Sequence, residues 1–344
     1  MRNLCTLTKL TVVVLTAVLI SACESESAYE DNDPSIAFIA VSNPAFSVLE
    51  EAAITGGVAG ILSNSNAGDP SGDFTVFAPT NAAFARLGLD EQTLGVLQQP
   101  FLRNTLFYHV SNGNLRNNAI SAGGSSASAL GGLTRRFIER DGALYINGSE
   151  ILATDINADN GTVHVIDKVM IATGGNVVES ALALQGAQVF QNPELTFLVA
   201  AVVYAELAET LSSPDLNFTV FAPTDAAFKT LLGGAPDIAD DGLLGDAYTG
   251  DPSDITKLPK ELVATVLTYH VFADVSSVAK FTSEMNGGQQ AMFNGEEVTL
   301  GAFMDGTLTV KGISNVSPAN MVIPDVQATN GIVHVIDQVL LPTL

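Results

Sequence analysis

An internal duplication constrains this fold most, because the same blocks occur twice in the same order along the 344 residues. The blocks are FTVFAPT(N/D)AAF at 74–84 and 218–228, YHV at 108–110 and 269–271, and NGxVHVID at 160–167 and 330–337. Two copies at so long a period are typical of tandem domains and not of a solenoid of short repeats. We therefore predict one domain at 35–173 and a second at 176–344, joined at Thr173-Gly174-Gly175.

Each repeat has a helical first half and a strand-rich second half. The Asn-Pro pairs at 43–44 and 192–193 precede apolar-periodic runs, a pattern typical of a capped helix start. The FTVF run of each repeat predicts a short strand, after which Thr80 or Thr224 is expected to cap a helix. Asp-Gly and Asn-Gly pairs then predict hairpin turns, at 141–142, 147–148, 160–161, 294–295, 305–306 and 330–331. The predicted class is α+β, with a compact antiparallel sheet and helices packed at one side.

The N-terminal residues are typical of an export signal. A positively charged start is followed at 10–20 by an apolar run of 11 residues, which is too short to span a bilayer. The sequence ISAC at 20–23 resembles a bacterial lipobox, so we expect removal of residues 1–22 and attachment of lipid to Cys23. The alternative is an ordinary secretory signal with an incidental cysteine. Because Cys5 lies in the removed part, no disulfide is expected.

The charge balance excludes one class of partner. The chain has 14 Lys and Arg against 37 Asp and Glu, a net charge of −23 that repels phosphate backbones and excludes nucleic acid. No later segment approaches the 18 apolar residues of a membrane span, so membrane attachment is expected through the lipid. Residues 23–34 are acidic and polar and predict a flexible tether. Glu24 follows the cysteine in place of Asp, which favours the outer membrane.

The three duplicated blocks, in this order, resemble the fasciclin domain. They occur in both repeats, so the resemblance covers nearly everything after residue 35. The resemblance implies that each domain is a wedge-like β-sandwich of about seven strands with a helical layer. It also implies a role in cell adhesion, or in binding matrix or envelope components.

Each repeat contains two histidines, and each invites a structural and a functional interpretation. His164 and His334 lie within apolar strands and are expected to be structural. The pairs Tyr108-His109 and Tyr269-His270 end a predicted helix, where a protonated imidazole would meet the negative end of the helix dipole. The resemblance links this Tyr-His pair both to fold integrity and to adhesive contacts, so both interpretations stay open. No G-x-S-x-G motif occurs, and a hydrolase is not expected.

The segment before the last strand of each repeat supplies a second set of candidate binding residues. In animal fasciclin domains an Asp-Ile pair here is linked to integrin recognition. The matching positions are Asp155-Ile156 and Asp325-Val326, the second of which departs from the pattern by Val for Ile. A lipobox indicates a bacterium, which has no integrins of its own. The alternative interpretation is a strand that leads into the core.

The second repeat carries an acidic insertion. The spacing of the copies grows from 144 to 161 residues, so 17 additional residues lie within 233–257. Their carboxylates could gather Ca²⁺, which binds six to eight oxygens, and the candidate ligands are Asp237, Asp240, Asp241 and Asp246. Their spacing does not match an EF-hand loop, and a solvated acidic loop is the alternative. No other metal and no cofactor is expected.

Together these features predict a lipid-anchored adhesion protein of a bacterial envelope. Two domains on an acidic tether would contact a protein or polysaccharide ligand of cells, matrix or surface, and linking them raises the effective concentration. One alternative is a periplasmic binding or scaffold module without an adhesive role. A less favoured alternative is an esterase acting on polymers.

Overall fold

The FTVFAP run of each repeat forms a strand that is buried along nearly its whole length. These strands are β1 (Phe74–Pro79) and β8 (Phe218–Pro223). A strand that is covered on both faces is encoded as a continuous apolar run, and this is what the sequence shows. In the computed structural model, which describes residues 33–186, 194–234, 242–273 and 278–343, each run lies inside a seven-stranded sheet.

The elements of the two repeats follow the same order. The helices of the first repeat are α1 (Ile36–Ser42), α2 (Ser47–Thr55), α3 (Ala59–Leu62), α4 (Asn81–Ala85) and α5 (Gln99–Tyr108). After β1 its strands are β2 (Val110–Asn112), β3 (Ser125–Ala127), β4 (Thr134–Arg140), β5 (Ala143–Ile146), β6 (Ser149–Ala158) and β7 (Gly161–Ile166). Helices precede most of the strands, as the α+β prediction requires.

The second repeat reproduces this plan. Its helices are α6 (Val177–Gly186), α7 (Thr196–Tyr204), α8 (Ala208–Leu211), α9 (Asp225–Gly233) and α10 (Lys260–Thr268). Besides β8 its strands are β9 (Val271–Ala273), β10 (Gly288–Ala291), β11 (Glu297–Leu300), β12 (Thr309–Lys311), β13 (Ala319–Ala328) and β14 (Gly331–Ile336). The α+β class and the tandem arrangement are confirmed.

Each sheet is mixed, which corrects the expectation of a purely antiparallel sheet. The strand orders are β2-β1-β7-β6-β5-β4-β3 and β10-β11-β12-β13-β14-β8-β9. β1 runs parallel to β7, and β8 runs parallel to β14, while the other neighbours are antiparallel. Parallel neighbours need a long crossover, and the helix and strands between the two blocks of each repeat provide it.

The predicted helix caps are present wherever the structure describes them. The Thr80 hydroxyl accepts a hydrogen bond from the Ala83 amide at 3.2 Å, and Thr224 does the same for the Ala227 amide. Asn43 accepts from the Ala45 amide at 3.0 Å and begins a short 3₁₀ turn that leads into α2. The Asn-Pro pair at 192–193 lies outside the described residues.

The Asn-Gly pair before the last strand does more than form a turn. The Asn160 side chain accepts from the Ile36 amide at 2.9 Å and donates to the Leu62 and Asn64 carbonyls at 2.8 Å. One amide group thereby fixes α1 and α3 to the sheet. Asn330 makes the equivalent contacts to α6, to the last residue of α8 and to Ser213 just after it.

The sheet has two differently covered sides. Val163 faces a cluster formed with α1, α2 and α5, which we call the helical side. The next residue, His164, points to the opposite side, where it stacks on Phe77 with ring centroids 5.2 Å apart. There Phe77 also meets Phe137 of β4 at 6.1 Å, because the sheet curls over to enclose a second cluster.

The apolar helices of the first repeat are short. In the described part of the chain, no single helix has both the length and the hydropathy to cross a membrane. The helical segments 36–42 and 44–55 meet the test of length and composition only as a pair, bent by 103°.

Candidate functional site

Both Tyr-His pairs lie in the interior. Tyr108 and Tyr269 have no exposed surface, and His109 and His270 are 2% exposed. As predicted, each histidine follows the last residue of a helix or its C-cap. In this structure these side chains offer no surface for direct contact with a ligand, so the structural interpretation of the pair accounts for their placement.

Both ring nitrogens of His109 bind the backbone. Nδ1 donates to the Thr105 carbonyl at 2.7 Å, and Nε2 accepts from the Met170 amide at 2.9 Å. Because Nε2 accepts, the ring is neutral. Burial lowers the pKa of His109 to about 4, an effect that the Thr105 carbonyl only partly opposes. The expected protonated imidazole at the helix end is therefore absent, and this expectation is corrected.

His270 repeats the arrangement in the second domain. Its Nδ1 donates to the Val266 carbonyl at 2.7 Å, and its Nε2 accepts from the Leu340 amide at 2.8 Å. Burial lowers its pKa to about 4 as well. Each histidine thus joins the end of its helix to the segment after the last strand. Both of its ring nitrogens are used in these hydrogen bonds, so neither is left for catalysis.

The segment at Asp155 has an irregular backbone that presents the carboxylate. β6 shifts register between Ala153 and Ile156, and Asp155 has φ of 59°, a conformation that Asp tolerates better than most residues. Its Oδ1 accepts from the Asn117 amide at 2.8 Å. The backbone amide of Asp155 donates to Nδ1 of His164 at 3.4 Å. Asp155 and Ile156 are both partly exposed.

Asp325 occupies the same position in the second domain and has the same backbone, with φ of 66°. Its carboxylate accepts from the Thr282 amide at 2.7 Å, and its own amide donates to His334 at 3.1 Å. Val326, however, is fully buried, and the Asp325 side chain is only 10% exposed. The two copies of the motif therefore share their geometry and differ in accessibility.

The first domain covers Asp325. Nζ of Lys168 lies 2.9 Å from Asp325 Oδ2 and donates to the Gly306 carbonyl at 2.6 Å. Burial alone would raise the pKa of the Asp325 carboxyl, but Lys168, His334 and Thr282 hold it below its ordinary value. Gly148 fits against the same carboxylate, because a Cβ there would lie 1.8 Å from Oδ2.

Further ion pairs surround this contact, and each places its cation on the first domain. Arg136 meets Glu284 at 2.6 Å, and Arg86 meets Asp305 at 2.9 Å. Arg140 donates to the Ser283 carbonyl at 3.2 Å. Tyr108 binds Asn147 within its own domain and Gln327 of the second. We call this set of contacts the interdomain interface.

Local sequence patterns did not reveal the interdomain interface. Lys168 directly follows the duplicated VHVID block, where the second copy has Gln338. This difference between otherwise matching blocks was the one sign of the interface in the sequence, because the positive charge of Lys168 has no counterpart in the second repeat. At the equivalent face of the second domain, Gln338 binds Ser317 and Pro318 of its own domain.

The lipid-anchor and calcium predictions fall mainly outside the described residues. Cys23, Asp237, Asp240 and Asp241 all lie there. Asp246 is exposed, while Asp254 of the same insertion is buried and accepts from the Thr249 and Gly250 amides. Among the described residues, no group of three or more His, Cys, Asp or Glu side chains could hold a metal. Calcium binding stays a prediction.

The chain matches one protein family along most of its length. The family model described as Fasciclin domain matches residues 44–172 and 193–342. Human periostin is 28% identical over 274 residues, which are 79% of this chain and 28% of periostin, so the chain spans less than a third of that protein. Protein sll1483 of Synechocystis is 34% identical over 153 residues, covering 44% of this chain and 80% of that protein.

One solved structure is also similar to this chain. It is a FAS1 domain pair from the insect cell adhesion molecule fasciclin I. It is 17% identical, has a TM-score of 0.37, and covers 89% of this chain and 95% of that chain.

Proposed function

The chain belongs to the fasciclin domain family, and from this we propose that it is an adhesion or binding protein of the cell envelope. Fasciclin domains are found in cell-adhesion proteins, which supports an adhesive or binding role. We propose domain boundaries at 35–173 and 176–344. The equivalent helices α1 and α6, which bind Asn160 and Asn330, support a start ahead of the family match in each domain.

The choice of binding face depends on one observation. Asp155 is partly exposed, whereas Asp325 is bound by Lys168 in the interdomain interface. The aliphatic residues Ile156 and Val326 both pack against the apolar core of their own domain. We therefore assign ligand binding to the first domain. In the second domain the same motif binds Lys168 of the first. A partly exposed carboxylate suits a ligand that carries a hydrogen-bond donor or a cation.

We propose that Cys23 carries lipid and that residues 23–34 tether the domains to the outer membrane. The lipobox-like sequence and the acidic composition of 24–33 support this proposal. The protein would then face a protein or polysaccharide ligand at the cell surface.

Two alternative functions would require different features of the structure. A periplasmic scaffold module would use the same face without exposure at the cell surface. A polymer-acting esterase would need a histidine as general base, yet both nitrogens of His109 and of His270 are bound to backbone groups. The proposal is therefore a non-enzymatic binding function.

We expect Asp155→Asn to reduce adhesion at least about tenfold, because it removes the charge of a ligand-binding carboxylate. Asn tolerates the same positive φ and still accepts from the Asn117 amide, so the fold is expected to persist. The measurement is attachment of cells that carry each variant to immobilised polysaccharides, matrix proteins and whole cells. Asp141→Asn is the matched control, since Asp141 is another exposed aspartate of the first domain with positive φ.

Equal attachment by the Asp155→Asn, Asp141→Asn and unchanged proteins would remove Asp155 from the binding face. Thermal unfolding of each purified variant separates a loss of binding from a loss of structure.

A further inference from the structure

The first three helices expose an apolar surface beside the start of the folded chain. α1 contains no charged residue, and its Phe38 and Val41 are 58% and 57% exposed. Ile54 of α2 is 57% exposed, and Ile61 of α3 is 36% exposed. Val41 and Ile54 border one apolar cavity of about 80 Å³ between these helices. We call these four side chains the N-terminal apolar face.

The second domain provides an internal comparison. The positions equivalent to Val41 and Ile54 are Leu182 and Val203, which are also exposed and border an apolar cavity of about 100 Å³. The other two positions differ, because Phe38 corresponds to Glu179 and Ile61 corresponds to Thr210. The larger apolar face is therefore a property of the first domain and not a requirement of the fold.

Charged residues of both signs border the N-terminal apolar face. Glu50 and Glu51 of α2 are half-buried, and Glu51 accepts from the Thr55 hydroxyl at 3.2 Å. Arg103 donates to the Gly57 carbonyl at 3.3 Å, at the end of α2, where a cation can meet lipid phosphates. Such a mixed border suits the headgroup region and not the hydrocarbon interior.

The position of the expected lipid anchor indicates what covers the N-terminal apolar face. α1 begins 13 residues after Cys23, and a segment of this length reaches at most about 45 Å. We propose that the N-terminal apolar face rests in the headgroup region of the membrane that holds the lipid on Cys23. This inference rests on the lipid anchor of the proposed function.

The proposed orientation agrees with the proposed binding face. The N-terminal apolar face lies on α1, α2 and α3, which pack on the helical side of the sheet. Asp155 contacts His164, whose ring points to the opposite side, together with Phe77. A first domain resting on its helices would therefore turn Asp155 away from the membrane.

The test places a fluorescent probe on the lipidated protein in phosphatidylcholine vesicles. Val41→Cys supplies a single reactive thiol, since the lipid blocks Cys23 and Cys5 is removed. Some vesicles contain a lipid whose nitroxide quencher lies just below the headgroups. We expect a blue shift and a loss of fluorescence at this position. The control is Val316→Cys in the second domain, which is 95% exposed and should show neither effect.

A second variant removes the face without disturbing the fold. Phe38→Glu with Ile61→Thr installs the residues of the second domain, which folds with them. In this background the probe at position 41 should lose its quenching while the protein still floats with vesicles.

Three results would overturn the inference. Protein that floats with the vesicles but keeps an unquenched probe at position 41 would leave the anchor intact and contradict the face. Failure to float would contradict the anchor, and with it this inference, without testing adhesion at Asp155. A concentration-dependent blue shift without vesicles would assign the face to a second copy of the chain.

Discussion

Lys168→Met is expected to lower the free energy of unfolding by about 3–5 kcal/mol, because it leaves the buried Asp325 carboxylate without its cation. Both side chains are only 10% exposed, so water cannot replace the lost partner. The Gly306 carbonyl loses one of its two donors and keeps the Thr282 hydroxyl. Denaturant unfolding of the purified protein at neutral pH measures the loss.

Two variants control for this result. Lys260→Met breaks a surface pair in which Glu206 is 80% exposed, and such pairs contribute at most about 1 kcal/mol. Lys168→Met combined with Asp325→Asn removes both charges and should recover part of the loss. If Lys168→Met changed stability no more than Lys260→Met, the Lys168–Asp325 pair would not stabilise the packing of the two domains.

Acid is expected to destabilise the protein through His109 and His270, by on the order of 3 kcal/mol for each. Their pKa is about 4 in the folded chain and 6.5 when exposed, so the unfolded chain binds more protons between these values. Stability is therefore complete above pH 6.5 and decreases as the pH falls towards 4. Unfolding measured at a series of pH values across this window tests the expectation.

His109→Gln with His270→Gln is the informative comparison, since Gln can donate and accept but does not titrate in this range. The double variant should show a flatter profile. Burial also lowers the pKa of His164 and His334, so some pH dependence should persist. A flat profile for the unchanged protein would contradict the neutral, buried histidines described above.

Local features of this fold could be predicted from the sequence. The short strand β1 and the caps at Thr80 and Thr224 depend on neighbours within a few residues, and each prediction is confirmed. The parallel pairing of β1 with β7 was not predicted. It joins Phe74 to Gly161 across a crossover, and no local pattern marks such a pairing.

The different accessibility of the two Asp motifs could not be predicted from the sequence for the same reason. Asp155 and Asp325 occupy equivalent positions and have the same backbone, so the sequence predicts one role for both. Their difference comes from Lys168, which is 157 residues before Asp325 and reaches it only when the domains pack together. The burial of the Tyr-His pairs likewise depends on the enclosing sheet, which the helix pattern alone does not specify.

Thiol labelling on intact cells tests the proposed surface adhesion most directly. Val316→Cys gives an exposed thiol on the second domain, which a membrane-impermeant maleimide can reach only at the cell surface. We predict equal labelling of intact and lysed cells, as an adhesion protein requires. Labelling that appears only after lysis would contradict surface adhesion and favour a periplasmic binding module.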